Sequence, residues 1–80
     1  MPERIRFDVY VPLAERAAIA VVLVPLADAG FGVQVEFPGD GLALGWRIRL
    51  NARGWHASFR IRRGATHDEW ATAVETALLT

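Results

Sequence analysis

His56 and Ser58 stand two residues apart and Asp68 follows on the next segment, so the residue types of a Ser-His-Asp nucleophilic set are all present. That chemistry also needs an oxyanion hole and a nucleophile held on a strained turn, and nothing in the residues around Ser58 supplies either. His67, Asp68 and Glu69 are metal-ligand types, but they are consecutive. Ligands on a helix must stand about four residues apart to share one face. Gly30-Phe31-Gly32 and Gly39-Asp40-Gly41 are turn glycines that extend into no dinucleotide fingerprint, and a chain without lysine carries no P-loop lysine. The absence of cysteine removes thiolate nucleophiles, disulfides and Cys-based metal sites. The sequence therefore predicts a non-enzymatic protein that uses no cofactor and suits a reducing compartment, the cytoplasm.

The side chains left to do chemistry are nine arginines, set against nine acids for a formal net charge of zero. Arginine at every basic position is what a GC-rich genome tends to write. The physical consequence is independent of that origin. Each cation is a planar guanidinium that can hold a carboxylate or phosphate by two hydrogen bonds and can stack on rings. Their position in the fold matters more than their number.

Residues 4–11 alternate strictly, with Ile5, Phe7, Val9 and Val11 on one side and Arg4, Arg6, Asp8 and Tyr10 on the other, which predicts a half-buried strand. Pro12 suits a helix start and Gly30 a helix end, so residues 13–28 read as a helix, with a kink or early end expected at Pro25. Three alternating segments follow. Val33, Val35 and Phe37 oppose Gln34 and Glu36. Leu42, Leu44, Trp46, Ile48 and Leu50 oppose Ala43, Gly45, Arg47 and Arg49. Trp55, Ala57, Phe59 and Ile61 oppose His56, Ser58, Arg60 and Arg62. The short connectors Pro38-Gly39-Asp40-Gly41 and Asn51-Ala52-Arg53-Gly54 make these an antiparallel meander. Thr66 and Glu69 form a capping box, after which Trp70, Ala73, Val74, Ala77 and Leu78 make one apolar stripe.

The expected fold is a single α+β domain over residues 1–80 in the order β-α-β-β-β-α. It has one four-stranded, mostly antiparallel sheet with two helices packed on one face. A hydrophobic content of 52% and a mean hydropathy of +0.20 exclude a disordered chain. The run from Ala17 to Ala27 is eleven residues, too short for the about 20 that cross a bilayer, so no membrane partner is expected. Ala27-Asp28-Ala29 has the small-x-small form of a secretory cleavage site. The segment before it, however, carries Glu3, Asp8 and Glu15 and contains a well-formed strand pattern. The helix at 13–28 keeps no wide polar side, so one sheet cannot cover it. Packing against the second helix, with a homodimer taking up the remaining surface, is expected.

Alternation then assigns the other sheet face by subtraction. It carries Arg4, Arg6, Arg47, Arg49, Arg60 and Arg62, with His56 and Tyr10, against the acids Asp8 and Glu36. Glu15, Asp28, Asp68, Glu69 and Glu75 fall on helices, so neutrality conceals a basic sheet face and an acidic helical side. Like charges on adjacent strands repel, and an anionic partner would offset that cost. The arginine face and His56 are therefore the expected partner-binding residues of a small protein-binding module, an inhibitor, immunity-type or adaptor protein whose target has an acidic surface. The alternative is a nucleic-acid-binding domain. Residues 42–78 are similar, in strand order and arginine placement only, to small domains that read DNA with a three-stranded sheet, and no residue role follows from that similarity. Zero net charge favours the protein partner, because phosphate attraction normally needs a basic domain. Trp46 and Trp55 are expected in the core by the same parity.

Overall fold

The computed structural model describes residues 4–39 and 45–79. Its elements are β1 (Ile5–Phe7), α1 (Leu13–Asp28), β2 (Gly32–Glu36), β3 (Gly45–Ala52), β4 (Trp55–Arg62) and α2 (His67–Leu78). The strand expected over residues 42–44 and the turn residues Asp40 and Gly41 lie outside the described residues. The strands form one sheet in the order β1-β2-β3-β4. β2, β3 and β4 are antiparallel neighbours, whereas β1 runs parallel to β2 because α1 carries the chain back between them. The α+β fold is the expected one, with a mixed sheet.

The register puts every apolar strand position on one face. Ile5, Val33, Leu50 and Ala57 form one row across the four strands, and Phe7, Val35, Ile48 and Phe59 form the next. Trp46 and Ile61 pair beyond them. Ile19 and Leu23 of α1 and Trp70 and Ala77 of α2 close the core over this face. α1 lies over β1 and β2 and α2 over β4, so the helices touch each other only lightly. Trp46 and Trp70 are buried, and Trp55 meets Phe31 edge-on at a centroid distance of 5.6 Å, which confirms their inward parity. Gly45, the first described residue of β3, is buried opposite Arg62, and a Cβ there would collide with the Ile61 carbonyl.

Two expectations are corrected. The first strand ends at Phe7 instead of Val11. Asp8 makes the last sheet bond by donating its amide to the Val35 carbonyl at 2.8 Å, and its own carboxylate then accepts the Tyr10 amide at 2.9 Å. That local side-chain bond turns the chain, so Val9 and Tyr10 stand out in solvent and only Val11 returns to the core. Pro25 does not end α1, which continues to Asp28. Pro25 removes only the bond its amide would donate to the Val21 carbonyl, one turn back on the exposed side of the helix, and the ladder resumes beyond it, the Ala29 amide donating to the Pro25 carbonyl at 3.1 Å. Past that end, Gly30 takes a φ of 99°, and the amides of Gly30 and Phe31 donate to the carbonyls of Ala27 and Leu26, both at 3.1 Å. This double bond pattern needs a left-handed residue, which glycine adopts at no steric cost.

α2 starts as expected. The Glu69 amide donates to the Thr66 hydroxyl at 3.2 Å, and the Thr66 amide donates back to the Glu69 carboxylate at 3.3 Å. Among the described residues no helix is long and apolar enough to cross a membrane.

Candidate binding surface

With both helices on one side, the other side of the sheet is bare among the described residues. Its rows follow from the register. Arg6, Gln34, Arg49 and Ser58 line up across all four strands, Glu36, Arg47 and Arg60 form the second row, and Asn51 and His56 the third. Arg47 and Arg60 are direct cross-strand partners, a like-charge contact that a sheet makes at a cost. Glu36 explains how it is tolerated. Its carboxylate lies half-buried, 3.7 Å from the Arg47 guanidinium and 3.4 Å from that of Arg49. One acid thus anchors two arginines at the middle of the face, while Arg6, Arg49, His56, Ser58 and Arg60 stay exposed around it. At the β1 end the surface dips into a depression of about 310 Å³ beside Arg6, Gln34 and Asn51.

Three of the expected face residues are placed differently. Arg4 precedes β1 and pairs with Asp28 at the end of α1. Tyr10 lies in the turn after β1 and not on the sheet. Arg62 keeps its outward parity at the β4 edge but reaches round to α2, where Nε donates to Glu69 at 2.9 Å and the terminal nitrogen at 2.5 Å. This two-pronged contact, followed by the Thr66 amide, holds the Glu69 carboxyl below its ordinary range against a small opposing effect of desolvation. The arginine surface that remains together is Arg6, Arg47, Arg49 and Arg60, with His56 at its rim.

Arg16 and Arg63, which strand parity leaves unassigned, have structural contacts. Arg16 donates to the carbonyls of Val11 at 3.0 Å and Asp8 at 3.2 Å and lies 5.5 Å over the Phe7 ring, clamping the turn that follows β1. Arg63 pairs with Glu15 and sits 5.4 Å over Trp46. Nothing local in the sequence marks either one: Arg16 bonds backbone carbonyls, which leave no pattern of residue types, and the partners of Arg63 are set by how α1 lies on the sheet.

The residue types of a catalytic set stay apart. His56 is at the start of β4 and Asp68 at the start of α2, which follows the far end of that strand, so about 20 Å of extended chain separates their levels. Among the described residues no three His, Cys, Asp or Glu side chains gather as a metal site. A cleft of about 280 Å³ opens between the helices, floored by Trp46, Ile19 and Trp70 and rimmed by Glu15, Arg62 and His67. The rim charges Glu15 and Arg62 are engaged with Arg63 and Glu69. No family model matches the chain, and neither the curated proteins nor the solved structures give a match.

Proposed function

We propose that this chain is a non-enzymatic protein-binding module that docks its bare sheet face on an acidic patch of a partner protein. The observation that carries the reading is the cluster of Arg6 on β1, Arg47 and Arg49 on β3 and Arg60 on β4, with Glu36 of β2 as the single acid among them in the described residues. Guanidinium groups on a rigid sheet are pre-positioned for two-pronged bonds to carboxylates, and their ordering cost is already met in part by the Glu36 contact. Glu36 also favours a protein target over a phosphate backbone. It fixes a negative charge at the centre of the surface, where a continuous polyanion would have to pass, and the chain's zero net charge supplies no long-range attraction. Discrete acidic side chains can instead settle beside it, the depression near Arg6 and Asn51 being one seat.

The test is capture of an acidic protein from the native host by the immobilised chain, compared with the double variant Arg49→Glu, Arg60→Glu. Both positions are exposed, so the variant is expected to keep its circular dichroism and a cooperative melting transition, somewhat lowered by the loss of the Arg49–Glu36 contact, and to lose the captured protein. Unchanged capture by the folded variant sinks the proposal. Retention of the wild-type chain on a DNA or RNA column, with a steep loss as salt rises, would transfer the surface to nucleic acid.

A further inference from the structure

α1 is apolar on every side, and the fold uses only part of it. Ile19 and Leu23 face the core, and Glu15 and Val22 border the cleft toward α2. The opposite side exposes Ala14, Ala17, Val21, Val24 and Pro25, with Ala18 exposed at its border on the cleft. Val21 is 72% exposed, Leu13 at the head of the helix 78%, and Val9 and Tyr10 just before it 81% and 73%. Leu13 and the exposed residues of the helix present on the order of 500 Å², so two copies would bury about 1,000 Å² in total, the lower bound of a specific interface. The area on one copy lies at the upper end of the about 300 to 600 Å² of the largest apolar patch on an ordinary monomer, a size that often marks a functional surface.

The residue pattern indicates what covers it. The exposed positions are symmetrical about Val21, with Ala18 and Val24 three residues to either side, Ala17 and Pro25 four, and Ala14 and Asp28 seven. In an antiparallel pair with Val21 on a two-fold axis, Ala17 meets Pro25 of the partner subunit and Ala18 meets Val24 of the partner subunit. Every contact off the axis then sets a small side chain against a larger one, which lets the helices approach closely without a void. A parallel pair would set alanine on alanine and leave gaps. The electrostatics agree. Antiparallel helix dipoles attract, the one ionised residue of the surface, Asp28, is already paired with Arg4, and two copies of zero net charge do not repel.

We infer that α1 is a self-association surface, and that its occupant is a second copy of this chain paired antiparallel about Val21. The two bare sheet faces would then point away from each other, so the dimer would present its arginine surface twice. This inference rests on α1 alone and stands whether or not the sheet face binds an acidic protein.

Sedimentation equilibrium of the whole chain tests it. The wild-type chain is expected at twice its 8.8 kDa at high micromolar concentration. Val21→Glu sets two carboxylates together on the axis and is expected to weaken association by about 100-fold or more, leaving a folded monomer. A wild-type chain that stays at 8.8 kDa overturns the inference, as does a Val21→Glu variant that remains dimeric. Should Val21→Glu fail to fold, single-cysteine variants decide, because the chain has no cysteine of its own. Val21→Cys is expected to form an inter-chain disulfide at least about ten times faster than Ser58→Cys on the sheet face, since only the axial position brings two thiols within bonding range. Equal or slower cross-linking at Val21 overturns it.

Discussion

α1 and α2 pack on the same sheet face and are built on opposite plans. α2 opens on a capping box, carries Asp68 and Glu69 in its first turn, and turns one apolar stripe to β4. α1 opens on Pro12, which offers no side-chain cap, contains Pro25, and is apolar on all sides. The ends of α1 are fixed by other groups: Arg16 holds the turn before it, and Gly30 supplies the left-handed residue after it. α2 is therefore specified largely within its own residues, and its stripe is turned inward within one copy as far as Ala77, with Leu78 exposed at its end. α1 is held by the packing of Ile19 and Leu23, and the side turned away from the core is left unfinished. The difference shows that helix formation and helix burial are separate demands. A sequence can satisfy the first by tertiary packing and leave the second to another molecule.

The largest expected effect separates the two sides of α1. Leu23→Ala removes a fully buried side chain and is expected to cost about 2 to 5 kcal/mol in a urea titration. Val21→Ala, two residues away and 72% exposed, is expected to cost less than about 0.5 kcal/mol at a dilution where chains are monomeric. Similar losses at the two positions would mean that α1 is covered within the single chain, and the contrast with α2 would fail.

Next in size is the difference between the helix starts. Thr66→Ala removes the hydroxyl that accepts the Glu69 amide and is expected to cost about 1 kcal/mol. At the matching position of α1 the direction reverses. Pro12→Ser adds a cap where none exists and is expected to leave stability unchanged or to raise it by up to about 1 kcal/mol. Thermal unfolding of both variants at one pH reads the sign. A loss at Pro12 as large as that at Thr66 would show that α1 too depends on its first residue.

These contrasts also explain what could be read from the sequence. The bounds of α1 and β4 and the capping box are local patterns, and each agrees with the structure. The bare arginine rows of β3 and β4 were legible for the same reason, since strand parity alone sends Arg47, Arg49 and Arg60 outward. The alternation through Asp8, Val9 and Tyr10 misleads because a two-residue period does not encode where pairing with β2 stops. There, the Asp8 carboxylate offers the backbone a better partner than the sheet. Arg4 and Arg62 leave the face for Asp28 and Glu69, contacts that depend on where the helix ends land on the sheet. The Arg63–Glu15 pair spans 48 residues of sequence, and no local pattern announces it.

The smallest effect tests how far α2 specifies itself. The Glu69 carboxylate accepts from Arg62, from the Thr66 amide and from the Thr66 hydroxyl, so its ionised form is favoured in the folded state and its pKa lies below the unfolded value. The unfolded state then takes up a proton at higher pH than the folded state does. The stabilisation is fully present above the unfolded pKa and is lost as the pH falls through the folded one. Between about pH 5.5 and pH 3 the wild-type melting temperature is therefore expected to drop more steeply than that of Glu69→Gln, which has no proton to gain. Subtracting the two curves removes the other carboxylates, which titrate in both proteins. The difference is expected to be small because the pair is exposed to solvent and screened. Arg62→Ala removes the largest cause of the lowered pKa, so the acid loss should shrink in size and its end should move to higher pH. Parallel curves for wild type and Glu69→Gln would show that the α2 cap works through the Thr66 hydroxyl alone, and that Arg62 lends it nothing.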